Sequence, residues 1–154
     1  DVMGGLKLRR ELETRAFQAV QDSGGSKELP AQRWVDFIAG RAGPVEKGSS
    51  PSGVKSVRLD EVLPAPLRSR LIEAFGHFER SMKGFGDASA QLYGVESRTS
   101  SPVRVTRDDD SLESVSHPGL YPAGEGAGYA GGITSAACDG IRIADKIVEK
   151  ILAR

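Results

Sequence analysis

The residues best suited to chemistry stand close together near the end of the chain. Gly126-Ala127-Gly128-Tyr129-Ala130-Gly131 spells G-x-G-x-x-G, directly after the apolar run Leu120-Tyr121-Pro122-Ala123 and the pair Gly124-Glu125. Gly132 and Ile133 follow and open a stretch whose first turns hold small residues. A glycine-rich turn running into a helix presents unpaired amides at the positive end of the helix dipole. That arrangement suits a phosphate or a polarised ring carbonyl. Six of the 19 glycines lie between Gly119 and Gly132. Glycine accepts positive φ and close backbone approach at an entropic cost, so such a concentration needs a cause.

Other groups are weaker candidates. Arg98, Thr99, Ser100, Ser101 and Arg104 make a polar, basic stretch around Pro102, in the setting of an edge strand and turn. Asp108-Asp109-Asp110 lacks the downstream bidentate glutamate and the loop glycine of a calcium loop, and reads as a solvated turn. His77 and His117 are far apart in sequence and have no paired nucleophile, so they make no catalytic dyad. Cys138, the single cysteine, excludes an intrachain disulfide and a cysteine-based zinc site. It is expected to pack on the small-residue side of the last helix. No metal site is expected.

The elements that must hold these residues follow from periodicity. Leu8, Leu12, Ala16 and Val20 recur every four residues and predict a helix over 6–20, stopped by Asp22-Ser23-Gly24-Gly25-Ser26. Pro30 is expected to open a short second helix through Trp34, Val35, Phe37 and Ile38, ending near Gly40. Residues 41–56 read as a loop. Order resumes at Leu59–Leu63, and Leu67, Leu71, Ala74, Phe75 and Phe78 form one stripe of a helix over 64–80. Strands are expected at Leu92–Val95, Val103–Val105 and Gly119–Ala123. The final helix, 131–153, has the strongest period, through Ile133, Ala136, Ala137, Gly140, Ile141, Ala144, Ile147, Val148, Ile151 and Leu152.

Composition narrows the function classes. With 21 basic and 21 acidic residues among 154, the formal net charge is zero. A nucleic-acid binder normally shows a basic excess, and an anionic membrane surface would also favour one. The 38% hydrophobic content is that of a globular chain. No apolar run approaches the ~20 residues of a membrane span, and the opening residues show no signal-peptide pattern. A cytoplasmic location is expected. The first residue is Asp1 rather than Met, which suggests a start inside a longer gene product.

A dinucleotide fingerprint needs a second strand after the helix, with an acidic residue about 20 positions on. Here the helical pattern runs to Arg154, the last residue. On pattern alone, tight packing remains an open explanation for the glycines. A longer match bears on the question. Val95-Glu96-Ser97-Arg98-Thr99-Ser100-Ser101-Pro102-Val103-Arg104, followed by residues 119–132, closely resembles the C-terminal part of bacterial FAD-dependent dehydrogenases, also termed NAD(FAD)-utilising dehydrogenases. Leu12–Phe17, Pro30–Arg33 and Asp60–Pro64 are similar to the same family, so the resemblance spans nearly the whole chain.

The resemblance implies a flavoprotein whose N-terminal Rossmann unit, missing from these 154 residues, holds the ADP half of FAD. Gly124-Glu125 would be the glycine–acid pair whose carboxylate accepts a ribityl or pyrophosphate-region hydrogen bond. Glu125 stands where the wider superfamily often carries aspartate. Gly126 and Gly128 would shape the turn, and Gly131-Gly132-Ile133 would aim amides at the flavin pyrimidine edge. Arg98, Thr99, Ser100, Ser101 and Arg104 would approach the flavin or the substrate.

The expected fold is α+β: a mostly helical cap or substrate subdomain over 1–90, then a small β piece and a long C-terminal helix over 91–154 that return to the FAD-binding domain. The expected function is the C-terminal part of an FAD-dependent oxidoreductase. Its partners would be the missing N-terminal half and an unidentified small-molecule substrate or nicotinamide donor. The 154-residue chain alone is expected to retain no FAD, and a patch left uncovered by the missing half would favour self-association. The alternative is a non-enzymatic helical interaction module whose glycine turn serves as an anion site or packing device.

Overall fold

The computed structural model describes residues 1–153, which form an α+β fold. Two compact units divide the chain: a central unit, Arg10–Ser97, and a flanking unit built from Asp1–Arg9 and Arg98–Arg154.

Helix α1 (Gly4–Asp22) buries Leu12, Ala16 and Val20, the residues with four-residue spacing. It stops where Gly24 takes a left-handed φ of 74°. Strand β1 (Leu29–Arg33) follows and runs straight into α2 (Trp34–Ala39). Pro30 therefore lies in a strand and does not open a helix. Its carbonyl accepts from the Gly94 amide at 3.1 Å. Proline has no N–H to return that bond, so the pairing on that side ends there, while the other edge of β1 stays paired through Pro30 to Leu29. Gly40 closes α2 with φ 64°, as the end of the apolar pattern predicts.

Strand β2 (Val54–Ser56) lies inside the stretch expected to be loop. It is only three residues long, too short to register as alternation. Helices α3 (Leu59–Val62) and α4 (Ala65–Ser81) follow, then β3 (Gln91–Tyr93). The sheet order is β2-β1-β3, with β1 parallel to β2 and antiparallel to β3.

The core of the central unit is Val20, Trp34, Phe37, Val57 and Leu59, with Leu71, Phe75 and Leu92 packed against it. Trp34 stacks on Phe75 with ring centroids 4.4 Å apart. The α4 stripe is covered only in part: Leu71 and Phe75 reach the core, whereas Leu67 and Phe78 stay exposed. Two buried aspartates tie the loops to this core. Asp60 accepts from Arg58 at 2.6 Å and from Gln32 Nε2 at 2.8 Å, and Gln32 also donates to the Arg41 carbonyl. Asp36 accepts from Arg33 and Arg41 at 2.7 and 2.8 Å.

The flanking unit carries one long helix, α5 (Ile133–Leu152). The expected strands at 103–105 and 119–123 do not form. An isolated antiparallel bridge, Arg107 to Ser114, is the only strand-like pairing among the described residues of this unit. Pro102 and Pro122 remove donors, and the Val105 amide pairs with the Ala127 carbonyl of the glycine turn instead of a neighbouring strand. Cys138 is exposed, contrary to the packing role expected of it, because α5 turns the Asp139 and Ile143 side inward.

Candidate functional site

The glycine turn is built by close backbone approach. Gly124 and Gly128 take φ of 63° and 85°, where glycine carries no steric penalty. The Tyr129 amide donates to the Gly124 carbonyl and the Gly128 amide to the Glu125 carbonyl, which closes the turn on itself. A Cβ on Gly128 would stand 2.5 Å from the Val103 carbonyl oxygen and 2.9 Å from Arg104 Cα. Gly128 is thus required by the 103–105 segment lying on it.

The basic stretch and the glycine turn, remote in sequence, meet in the fold. Arg98 Nη2 donates to Glu125 Oε1 at 2.9 Å. Arg104 Nε donates to the Gly128 carbonyl at 3.0 Å, and its guanidinium carbon lies 4.9 Å from the Tyr129 ring centroid. Ser100 Cβ is the nearest atom to the space above Gly131, at 3.9 Å from where a Cβ would be. Ser101 turns away and donates to the Val103 carbonyl. Thr99 is exposed and makes no hydrogen bond among the described residues.

Three glycines have no such internal reason. Gly126 has open space where a Cβ would go, and neither it nor Gly131 or Gly132 has a φ that demands glycine. Beyond Ser100, nothing within 4 Å would meet a side chain on Gly131. Gly132 precedes α5, and its amide donates to Ser135 Oγ at 3.1 Å. Among the described residues, no side chain caps the other first-turn amides. The amides of Glu125, Gly126, Ala127 and Gly131 likewise donate to no acceptor among the described residues. A backbone cradle free of side chains, with spare N–H donors, fits an anionic or carbonyl-bearing group.

Sequence reasoning missed the pair beneath this surface. Arg107 is buried and the Asp139 side chain nearly so, with the guanidinium 2.6 and 3.0 Å from the two carboxylate oxygens. The hydrogen bonds from Arg107 hold the Asp139 carboxyl below the usual aspartate range, against the opposing effect of burial. Neither residue belongs to a recognisable motif. The one signal was an aspartate in helical register with the apolar Ala136, Ile143 and Ile147.

A family profile described as FAD-dependent protein, C-terminal domain-like, matches residues 1–99, about two thirds of the chain. The chain belongs to this family. The matched segment holds the whole central unit, and the glycine turn lies beyond it. The chain is also 42% identical over 149 residues to a protein of Clostridium beijerinckii that is described as uncharacterized. That alignment covers 95% of this chain but only 27% of the relative. The chain thus spans about a quarter of the length of the curated relative it matches. Among the described residues, no helix is long and apolar enough to cross a membrane, and no group of three or more His, Cys, Asp or Glu is placed to hold a metal ion.

Proposed function

We propose that this chain is the C-terminal part of an FAD-dependent oxidoreductase of the NAD(FAD)-utilising dehydrogenase type. In this reading residues 98–104 and 124–133 form the ribityl and flavin-side wall of the cofactor site. The observation that carries it is the meeting of Arg98 with Glu125 and Arg104 with Gly128, beside Gly126, Gly131 and Gly132, which no internal packing requires. FAD, when bound, supplies the acceptance of hydride or electrons. The chain's own residues bind and orient: Glu125 accepts a cofactor hydroxyl, and the Gly131, Gly132 and Ile133 amides face the flavin pyrimidine edge. Arg98 and Arg104 line the approach with positive charge, beside Thr99, Ser100 and Ser101.

The rest of the polypeptide supplies the phosphate turn for the ADP half, and the central unit serves as cap or substrate domain for a small molecule or nicotinamide donor. The surface of α5 supports this division. Ile133, Ile141, Val148, Ile151 and Leu152 line one exposed stripe, with Ile133 at 94% and Leu152 at 81% of full exposure. Gly140 sits beside that stripe with open space above it. A helix so apolar on its outer side expects a partner layer.

The test is an FAD titration. The 154-residue chain alone should show no tight, saturable binding by fluorescence quenching, since one cofactor-facing turn must offset the ordering of a flexible dinucleotide. In the longer protein, Glu125→Ala should weaken FAD retention by ~1–3 kcal/mol, the worth of a charge-assisted hydrogen bond. Gly131→Val should block the cradle and abolish binding with the fold intact. Unchanged dissociation constants in both variants would remove the turn from the site.

A further inference from the structure

We infer that Arg107 and Asp139 are positioning residues for the glycine turn: a buried ion pair that fixes both ends of the turn against α5. It thereby sets where Glu125 and the free amides lie. The inference rests on the flavin reading of that turn.

Three anchors converge on the pair. Asp139, on the second turn of α5, accepts from the Gly124 amide at 2.8 Å through the same Oδ2 that meets Arg107 Nη1. Arg107 Nη1 also donates to the Pro122 carbonyl at 2.7 Å, which holds the chain as it enters the turn. The guanidinium lies 3.6 Å from the Tyr129 ring centroid, and the Tyr129 hydroxyl accepts from the Arg107 amide and donates to the Val105 carbonyl, each at 3.1 Å. Pro122, Gly124 and Tyr129, the entry, first residue and exit of the turn, are therefore tied to one guanidinium and one carboxylate.

Stability alone gives a weak reason for such a pair. The side chains are 4% and 10% exposed, and apolar residues of similar volume commonly serve as well in a buried place. Apolar packing cannot impose the direction of a backbone amide, whereas a forked guanidinium on a carboxylate does. The pair acts on the turn through the backbone at Pro122 and Gly124 and through the Tyr129 ring, over which Arg104 also lies. Preorganisation of this kind raises affinity by removing the ordering cost of the loop.

The experiment uses the longer flavoprotein that carries this chain, with Asp139→Asn and Arg107→Lys. It reads the FAD dissociation constant, the visible circular dichroism of bound flavin, and thermal midpoints with and without FAD. Both variants should fold and bind FAD, with a dissociation constant raised about tenfold or more and an altered flavin dichroism. Equal falls in the two midpoints, with affinity and dichroism unchanged, would make the pair merely structural and overturn the inference. Arg107→Lys decides the matter if Asp139→Asn fails to fold. Glu125→Ala and Gly131→Val run in parallel. If they weaken FAD binding while the pair variants do not, the positioning role alone fails. If none of the four matters, the flavin reading fails and takes the inference with it.

Discussion

The two units solve the same problem of order by different means. The central unit buries nine apolar residues, Leu12, Ala16, Val20, Ala31, Trp34, Phe37, Val57, Leu59 and Val62, around a small sheet. Among the described residues the flanking unit buries two, Leu112 and Ile143. Its longest helix faces inward mainly through Ala136, Asp139, Ile143 and Ile147, and leaves its apolar stripe outside. Hydrophobic burial is non-directional and forgiving, whereas an ion pair and tight turns are directional and brittle. The contrast assigns self-sufficient stability to the central unit and precise backbone placement to the flanking one.

Substituting Asp139→Ala should produce the largest separation between them. It leaves Arg107 buried and uncompensated, which typically costs ~3–5 kcal/mol. Trp34, the single tryptophan, belongs to the central unit and reports on it alone. Thermal unfolding followed by tryptophan fluorescence should then hold its midpoint while helicity by circular dichroism falls early. Coincident transitions would break the comparison.

Acid should act in the same direction. Asp139 has a folded pKa below its ordinary value, so its contribution is complete above the unfolded aspartate pKa of ~3.9 and is lost as pH falls through the folded value. Asp60 titrates with the same sign: burial raises its pKa, but hydrogen bonds from Arg58 and Gln32 outweigh that and leave it lowered. The central unit retains its apolar core through this range. A pH series should therefore lose the near-ultraviolet signals of Tyr121 and Tyr129 before the Trp34 signal, and the reverse order would refute the contrast.

The glycines give the smallest and sharpest effects. Gly128→Ala places a Cβ into the Val103 carbonyl at a left-handed φ and should cost ~1–3 kcal/mol. Gly140→Ala meets nothing within 4 Å in mid-helix and should stabilise this chain by ~0.5–1 kcal/mol. Denaturant midpoints measure both. Loss of stability on Gly140→Ala would show that α5 is already covered on that side.

Much of the central unit was legible because its signals are periodic. Leu12, Ala16 and Val20 marked the inner side of α1, and Gly40 marked the end of α2. Pro30 misled because a proline that opens a helix and one that ends a ladder look alike in sequence. The three-residue β2 lies below the length at which alternation can be seen. In the flanking unit the glycine turn and its basic neighbour were readable as types and spacing, but their meeting was not. Arg98 and Glu125 are 27 positions apart, and the pairing depends on how residues 103–105 lie across Gly128. The Arg107–Asp139 pair left no trace, since a charge compensated across 32 positions resembles any surface charge until the fold buries it.

The flanking unit is discontinuous, with Asp1–Arg9 on one side of the central unit and residues 98–154 on the other. During vectorial synthesis, every residue of the central unit is therefore available before Asp139 has been made. Residues 10–97 hold all of their aromatic core, while Gly5 meets its neighbour Pro102 only 97 positions later. The flanking unit is thus the last to have all its residues made. A slow or failed final step would leave the Arg107–Asp139 pair and the glycine turn unformed while residues 10–97 are already complete.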